Sequence, residues 1–179
     1  MESKLFTPVT FGPLTLRNRT IRSAAFESMC PGNAPSDMLL DYHRSVAAGG
    51  IGMTTVAYAA VTQSGLSFDR QLWMRPEIIP GLRRLTDAIH AEGAAAGIQL
   101  GHCGNMSHKS ICGCMPVGAS SGFNLYSPTF VRGLRADELP EMARAYGRSV
   151  NLAREAGFDS VEIHAGHGYL ISQFLSPST

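Results

Sequence analysis

The residues with the clearest capacity for chemistry lie near the end of the chain, in the segment HAGHGYL. His164 closes a predicted strand, His167 follows three positions later, and Tyr169 opens the next turn. Two imidazoles can donate hydrogen bonds to a carbonyl or phenolate oxygen, and a phenol with an ordinary pKa of about 10 can supply a proton to a developing carbanion. A lone histidine at such a position is usually structural, but two with a tyrosine predict a shared pocket.

Mainly residues with small side chains, and one with an amide side chain, lie at the ends of three other predicted strands. Ala24, Ala25 and Phe26 lie at the end of the first strand, and Ala57 ends the second. Small side chains would let a flat ligand approach the backbone, although tight packing of a helix against the sheet also explains them. Gln99, near the end of the third strand, can both donate and accept hydrogen bonds, which suits the imide-like edge of a heterocycle. Its structural alternative is a hydrogen bond to the backbone.

These residues need a scaffold that brings strand ends together, and the chain shows a repeating strand-then-helix pattern. The predicted strands are Thr20–Ala25, Gly52–Ala57, Ala95–Leu100 and Ser160–His164, and the predicted helices are Ser36–Ala48, Pro80–Glu92, Asp137–Gly157 and Tyr169–Leu175. A hairpin within Thr10–Arg19 precedes them, and a long loop runs from the third strand to about Ala136. This alternation predicts a parallel sheet covered by helices, whose ligands bind beyond the carboxyl ends of the strands.

Composition and charge exclude several classes of protein. The 179 residues contain 15 Lys and Arg against 14 Asp and Glu, a formal charge of +1, and 44% are hydrophobic. A folded globular chain is therefore expected, without the basic surface that binding to a nucleic acid needs. The start of the chain does not have the pattern of a signal peptide, and the apolar stretch from Gly49 to Val61 is too short to span a bilayer. We expect a cytoplasmic protein whose four cysteines are reduced thiols and which does not bind membranes.

A metal site is the competing use of one segment. His102, Cys103, His108, Cys112 and Cys114 lie within thirteen positions. However, Cys-Gly-Cys is not the paired spacing of a zinc site, and no distant second pair exists, so the sequence predicts no metal. The chain also lacks the glycine-rich fingerprints of dinucleotide and P-loop sites.

The motifs together resemble a known family. LFTP followed by FGPLTLRNR, the strand TIRSAAFE, the segment IQLGHCG and above all VEIHAGHGYLISQFLSP are similar to the old yellow enzyme family of FMN-dependent NADH:flavin oxidoreductases, from about Leu5 to Thr179. The resemblance implies an α/β fold, a TIM (β/α)8 barrel with FMN across the carboxyl ends of its strands. This chain would supply only the first four βα units, so that residues 1–179 form a single partial domain, since a full barrel usually needs about 250 residues. Without the resemblance, a complete four-stranded open sheet remains an alternative.

The resemblance also implies roles for individual residues. The positions that match flavin contacts are Ser23, Ala24, Ala25, Phe26, Ala57 and Gln99. His164 and His167 match the pair that holds the substrate's oxygen, and Tyr169 matches the proton donor. The implied activity is hydride transfer from NAD(P)H through the flavin to an activated alkene or a related small molecule, with the flavin carrying the redox chemistry.

Three departures from the family pattern bear on function. Phe26 stands where relatives have a small hydroxyl or thiol near the flavin, and Asn105 replaces an arginine. Strands seven and eight, whose loops hold the flavin phosphate in the family, have no counterpart here. We therefore expect this chain alone to bind FMN weakly or not at all, and to dimerise or aggregate through exposed sheet edges. The alternative function is that of a non-catalytic half-barrel, an assembly partner or a remnant.

Overall fold

The computed structural model describes residues 3–179. Its strands are β1 (Val9–Phe11), β2 (Leu14–Leu16), β3 (Ile21–Arg22), β4 (Met53–Ala60), β5 (Ala95–Gly101), β6 (Val117–Gly118), β7 (Gly122–Asn124), β8 (Thr129–Gly133) and β9 (Ser160–Ile163). Its helices are α1 (Asp37–Ala48), α2 (Ile79–Ala91), α3 (Lys109–Cys112), α4 (Leu139–Glu155) and α5 (Leu170–Leu175). Short 3-10 turns precede α2 and α4.

Four parallel strands form the main sheet, in the order β3-β4-β5-β9. Adjacent strands are joined by crossovers that contain α1, α2 and α4. The strand order follows the chain order, as expected for successive βα units of a barrel. Within the described residues the sheet does not close on itself, so the architecture is that of four units of an open barrel.

The helices cover one face of the sheet and bury the main core there. Residues of β4 and β5 that point to this face, such as Val56 and Ile98, pack against Leu39 of α1 and Leu82 and Leu85 of α2. The alternating side chains of β5, including Gln99, point to the opposite face, because successive residues of a strand face opposite sides. This opposite face corresponds to the interior of the barrel and carries the candidate residues.

The hairpin β1–β2 leads into an arginine that joins the helices at the amino ends of the strands. The guanidinium of Arg17 donates hydrogen bonds to the carbonyls of Ala47 (2.5 Å), Ile51 (2.9 Å) and Glu92 (2.8 Å). The last carbonyls of a helix lack partners within the helix and carry partial negative charge, which a cation satisfies. Arg17 therefore connects the carboxyl-terminal ends of α1 and α2 near the amino ends of the strands.

Most predicted elements are confirmed with small shifts. The hairpin, the four helices and the last three strands are present, and Ser36 caps α1 by accepting a hydrogen bond from the Leu39 amide at 3.2 Å. The prediction of a strand over Thr20–Ala25 is wrong beyond Arg22. The ladder would continue through the Thr55 carbonyl and the Ala57 amide. The Arg22 guanidinium bonds that carbonyl at 2.7 Å, and the Glu27 carboxylate accepts from that amide at 3.3 Å, so the backbone of residues 23–26 has no ladder to join.

The prediction of a long loop after β5 is also wrong. This segment contains α3 and a three-stranded sheet of order β6-β8-β7. Phe123 and Phe130 face each other across β7 and β8, with ring centroids 5.0 Å apart. The strands are only two to five residues long, too short for an alternating pattern to reveal them.

Among residues 3–179, none of the helices has the length and apolar character needed to cross a lipid bilayer.

Candidate active site

The two histidines and the tyrosine of HAGHGYL come together just beyond β9. The His164 amide donates to the Leu100 carbonyl at 2.8 Å, which extends the β5–β9 pairing by one residue. His164 Nε2 lies 3.0 Å from His167 Nδ1, and the two rings are nearly perpendicular, with centroids 4.8 Å apart. His167 adopts a left-handed backbone (φ 59°) and is followed by the left-handed Gly168, so the chain reverses here. The reversal turns the His167 ring back towards His164.

Hydrogen bonds determine which imidazole nitrogens carry protons. The Gly166 amide donates to His164 Nδ1 at 3.3 Å, so this nitrogen is the acceptor in the neutral ring and Nε2 carries the proton. Nε2–H then donates to His167 Nδ1, which leaves His167 Nε2–H as the outward donor. Burial, followed by the neighbouring His167, lowers the pKa of His164, and Glu162 opposes this shift. His164 is therefore neutral at pH 7.

Tyr169 packs against both histidines. Its ring centroid lies 5.0 Å from that of His164 and 5.9 Å from that of His167. Its hydroxyl is 3.5 Å from the Ser67 hydroxyl, at the limit of a hydrogen bond. The phenol is thus positioned by contacts with rings and is only weakly held at its oxygen, which leaves that oxygen able to take another partner.

Tyr58 is a site residue that the sequence did not reveal. Its ring contacts Tyr169 (5.5 Å between centroids) and His164 (5.9 Å), and its hydroxyl donates to the Gly65 carbonyl at 2.8 Å. Burial raises the pKa of the Tyr58 hydroxyl, which keeps it protonated. A Cβ at Gly101 would lie 2.8 Å from the Tyr58 ring and 3.2 Å from His164 Cβ, so glycine is required where these strands meet. An aromatic residue directly after the predicted strand end at Ala57 was the available signal.

Gln99 lies at the same end of the sheet as the histidines. It pairs in register with Glu162, two residues before His164, and its carboxamide donates to the Glu162 carboxylate. Its Oε1 accepts no hydrogen bond from the described residues. Glu27, a second carboxylate near this sheet, joins Arg22 (2.9 Å) and the buried His43 (3.3 Å). The two carboxylates therefore have separate partners.

The segment after β3 lies at this end of the sheet as well. Ser23, Ala25 and Phe26 are exposed, and Ala24 is half-buried. The amides of Ala24 and Ala25 donate no hydrogen bond to any other residue in the range 3–179. Ala57 is buried on β4, with its amide held by Glu27. Phe26 stacks on Phe68 with ring centroids 4.7 Å apart. Unpaired backbone donors beside small side chains form a surface that a flat, hydrogen-bonding ring can cover.

The residues considered for a metal have other partners. His102 is fully buried, with Nδ1 accepting from the Gly104 amide (3.0 Å) and Nε2 3.1 Å from the Ser64 hydroxyl. His108 Nε2 bonds the Ser127 hydroxyl at 2.5 Å. In the part of the chain that the structure describes, no three His, Cys, Asp or Glu side chains are grouped so as to hold a metal ion.

Asn105 is hydrogen bonded to Gln173 of α5, the helix that follows Tyr169. Its Oδ1 accepts from the buried Gln173 carboxamide at 2.9 Å, and Gln173 also donates to the Gly168 carbonyl at 2.7 Å. Gln173 Oε1 in turn accepts from the Asn105 amide at 3.2 Å. The substitution for arginine noted in the sequence thus gives a residue that links α5 and the turn after His167 to the segment following β5. Gln173 was a second residue that sequence reasoning missed.

Comparison with known proteins gives a family for this arrangement. Residues 4–179 match the NADH:flavin oxidoreductase / NADH oxidase family. The chain belongs to this family. Among its relatives, a 4,4'-dithiodibutanoate disulfide reductase from Rhodococcus erythropolis is 42% identical over 174 residues, which cover 97% of this chain and 43% of that protein.

Solved structures agree with the family and the fold. The old yellow enzyme homologue from Zymomonas mobilis superposes with a TM-score of 0.91 at 27% identity, covering 99% of this chain and 52% of that one. Morphinone reductase in complex with tetrahydroNAD superposes with a TM-score of 0.89 at 26% identity, covering 98% and 53%. The chain thus spans about half the length of these three relatives. The prediction of half a TIM barrel from this family is confirmed.

Members of the family depend on FMN, and the exposed face of the sheet fits part of that cofactor. The unpaired Ala24 and Ala25 amides and the free Gln99 Oε1 offer donors and an acceptor to the polar edge of an isoalloxazine ring. The small side chains of Ala24, Ala25 and Ala57 leave room for its flat face. These residues would hold the ring, and they supply no counterpart for its phosphate.

Proposed function

We propose that this chain contributes the ring-binding and proton-donating half of an FMN-dependent oxidoreductase that reduces an electron-poor alkene with NAD(P)H. The observation that carries the proposal is the meeting of His164, His167 and Tyr169 at the same sheet end as Gln99 and the unpaired amides of the 23–26 segment. Residues 1–179 would act as one partial domain, with Ser23, Ala24, Ala25, Phe26, Ala57 and Gln99 against the flavin.

The histidines would bind the substrate's oxygen. In the observed arrangement His167 Nε2–H is the free donor, because His164 Nε2–H is engaged by His167 Nδ1. Rotation of the His167 ring would release the second N–H, so that both imidazoles could donate to one carbonyl oxygen. Because His164 is neutral, these would be hydrogen bonds from neutral imidazoles that strengthen as negative charge develops on the oxygen.

Tyr169 would donate the proton. Its hydroxyl is held only by a 3.5 Å contact with Ser67 and lies beside both imidazoles. A phenol so placed can protonate the carbon next to the polarised carbonyl. Bound FMN would supply the redox chemistry between NAD(P)H and the substrate. The tetrahydroNAD bound to morphinone reductase supports a nicotinamide as the donor.

A second substrate class is a small disulfide. It is favoured by the relative from Rhodococcus erythropolis that is named as a disulfide reductase. The same residues would then protonate the leaving thiolate instead of a carbon. The alternative of a non-catalytic half-barrel acting as an assembly partner rests on an apolar groove of about 440 Å³ between α4 and α5, beside the unpaired edge of β9. Its lining includes Leu139, Met142, Tyr146, Ile163, Leu170 and Phe174.

The test is a comparison of the two half-reactions in Tyr169→Phe and in the unsubstituted chain. After binding of FMN is established by absorbance, reduction of the flavin by NADPH and its reoxidation by 2-cyclohexenone are followed separately. We expect Tyr169→Phe to slow reoxidation by about 100-fold or more, as loss of a general acid does, and to leave reduction unchanged. Tyr126→Phe is the matched control, because Tyr126 is 93% exposed. Equal reoxidation rates in Tyr169→Phe and the control would contradict the assigned role. Because the chain alone is expected to bind FMN weakly, both half-reactions are measured with FMN in excess, and a chain that does not alter the FMN spectrum even then would favour the non-catalytic alternative.

A further inference from the structure

Two cysteines outside the proposed flavin site are in sulfur contact. Cys112 ends α3 and Cys114 follows two positions later, with their Sγ atoms 3.6 Å apart. Gly113 between them is left-handed (φ 69°), and this reversal turns both side chains to the same side of the backbone. The Cys112 thiol also lies 3.2 Å from the Cys114 carbonyl. The two sulfurs need to approach by only about 1.5 Å to reach the length of a disulfide bond.

The two thiols differ in access. Cys112 is fully buried in a small cluster with Tyr58, Leu66 and Cys103, whereas Cys114 is half-exposed at the cluster's edge. A small reagent can therefore reach Cys114, whereas Cys112 is shielded from solvent. An accessible thiol with a buried second thiol behind it is the arrangement in which a mixed disulfide is resolved from within the protein.

The other cysteines do not share this arrangement. Cys30 and Cys103 are buried, and burial is the main cause that raises the pKa of each thiol to about 12. The Cys103 sulfur is directed at the Leu66 carbonyl, 3.4 Å away. Within residues 3–179, the contact between Cys112 and Cys114 is the one recorded between two cysteine sulfurs.

We propose that Cys112-Gly113-Cys114 is a redox-active dithiol that exchanges with low-molecular-weight disulfides. The Cys114 thiol loses its proton to solvent, and its sulfur attacks one sulfur of R–S–S–R; that bond breaks, and the departing thiolate takes up a proton as RSH. Cys112 then loses its proton and attacks Cys114 Sγ in the mixed disulfide, which releases the second RSH. The products are the Cys112–Cys114 disulfide and two RSH, so two electrons pass from the protein thiols to the disulfide. This chemistry does not depend on flavin or on the proposed function.

The surroundings of Cys112 and Cys114 make thiol–disulfide exchange at this pair slow and reversible. Burial, and next the Cys112 thiol, raise the pKa of Cys114 to about 11, so few molecules carry the reactive thiolate at neutral pH. A disulfide between positions i and i+2 closes a very small loop and gains little from restricting the unfolded chain. The oxidised form is therefore readily reduced by excess thiol.

The experiment uses oxidised glutathione as the probe and the full chain in its folded state at pH 8.5. The exchange is then stopped with acid, the chain is unfolded in urea so that buried thiols also react, free thiols are blocked with N-ethylmaleimide, and the protein is cut with trypsin. Residues 110–132 form one peptide that contains Cys112 and Cys114, whereas Cys103 falls in residues 85–109 and Cys30 in residues 23–44. We expect the 110–132 peptide to be about 2 Da lighter than its reduced form, without glutathione or maleimide, and to regain the two hydrogens with dithiothreitol. The other two peptides carry maleimide alone.

Two variants separate the attack by Cys114 from the resolution of the mixed disulfide by Cys112. Cys112→Ser removes the resolving thiol, so glutathione should remain attached at Cys114. Cys114→Ser removes the attacking thiol, and the reaction of Cys112 should slow at least tenfold. The proposal is overturned if glutathione persists on Cys114 in the unsubstituted chain, or if a crosslink forms between the 85–109 and 110–132 peptides. It is also overturned if the Cys112–Cys114 disulfide forms only when the chain is unfolded in urea. Because the unsubstituted chain gives these outcomes by itself, a variant that fails to fold does not remove the test.

Discussion

His102 provides a quantitative test of the packing behind the candidate site. Its ring is fully buried, and both nitrogens are used, Nδ1 by the Gly104 amide and Nε2 by the Ser64 hydroxyl. Gly65 packs directly on the ring, where a Cβ would lie 2.9 Å from Cδ2. Protonation would put a charge into this apolar setting and turn the acceptor Nδ1 into a donor facing the Gly104 N–H. Burial accordingly lowers the pKa of His102 to about 4.

The shift makes folding stability depend on pH with a defined sign. The unfolded chain protonates His102 near its ordinary pKa of about 6.5, whereas the folded chain resists protonation down to about pH 4. Between these values the unfolded state binds more protons, so the free energy of unfolding decreases as the pH falls. Stability from this residue is fully present above about pH 6.5, and we expect a loss of about 2 kcal/mol by pH 5.

The assay is urea unfolding followed by the fluorescence of Trp73, the single tryptophan, at a series of pH values from 8 to 5. The comparison variant is His102→Gln, whose amide can still accept from the Gly104 N–H but does not titrate. His164, whose pKa is also lowered, contributes with the same sign in both proteins, so it cancels in the difference. We expect the variant to be less stable at pH 8 and to lose less stability on acidification, by about 2 kcal/mol at pH 5. Parallel pH profiles for the two proteins would refute the assignment of a buried, neutral His102.

Three further substitutions test other parts of the structure. Glu27→Gln removes the charge at the centre of the buried ion cluster and should lower the free energy of unfolding by about 3 kcal/mol in urea, whereas the exposed Asp41→Asn should change it by less than about 0.5 kcal/mol. Gly104→Ala should destabilise by about 2 kcal/mol or more in the same assay, because its Cβ would lie 2.4 Å from the Gln173 amide nitrogen at a left-handed backbone position; equal stability would argue against that contact. We expect the unsubstituted chain to self-associate in sedimentation velocity, and Phe174→Asp, which puts a charge into the apolar groove beside β9, should shift it towards monomer. A distribution unchanged by the substitution would exclude this groove as the contact surface.

The repeating units could be predicted from the sequence because their signals are local. Apolar spacing along Leu82, Leu85 and Ile89 marks the buried face of α2, and Ser36 marks the start of α1. The strand ends could be predicted for the same reason, since Gln99 and His164 each close an apolar run. That these ends meet followed from the rule that parallel strands share one carboxyl edge.

The features that could not be predicted from the sequence depend on contacts between residues far apart in the chain. The end of β3 at Arg22 is set by two side chains that take the ladder positions of Thr55 and Ala57, 33 and 30 residues away along the chain. Gln173 holds the segment after β5 across 68 residues. Neither partner can be identified from a local pattern, and short strands such as β6 contain too few residues to produce such a pattern.

The early end of β3 also connects the fold to the candidate site. Had the ladder continued, the Ala24 amide would be bonded to the Thr55 carbonyl and would not be free to meet a ligand. The Arg22 guanidinium takes that carbonyl, and the Glu27 carboxylate, 2.9 Å from the same guanidinium, takes the Ala57 amide. One buried ion pair thus satisfies both ladder groups of β4 and leaves the backbone donors of the 23–26 segment unpaired. The Glu27 carboxylate also holds the Arg22 guanidinium against the Thr55 carbonyl. Loss of the Glu27 charge should therefore release Arg22, let the Ala24 amide pair with the Thr55 carbonyl, and weaken ligand binding at this edge as well as stability.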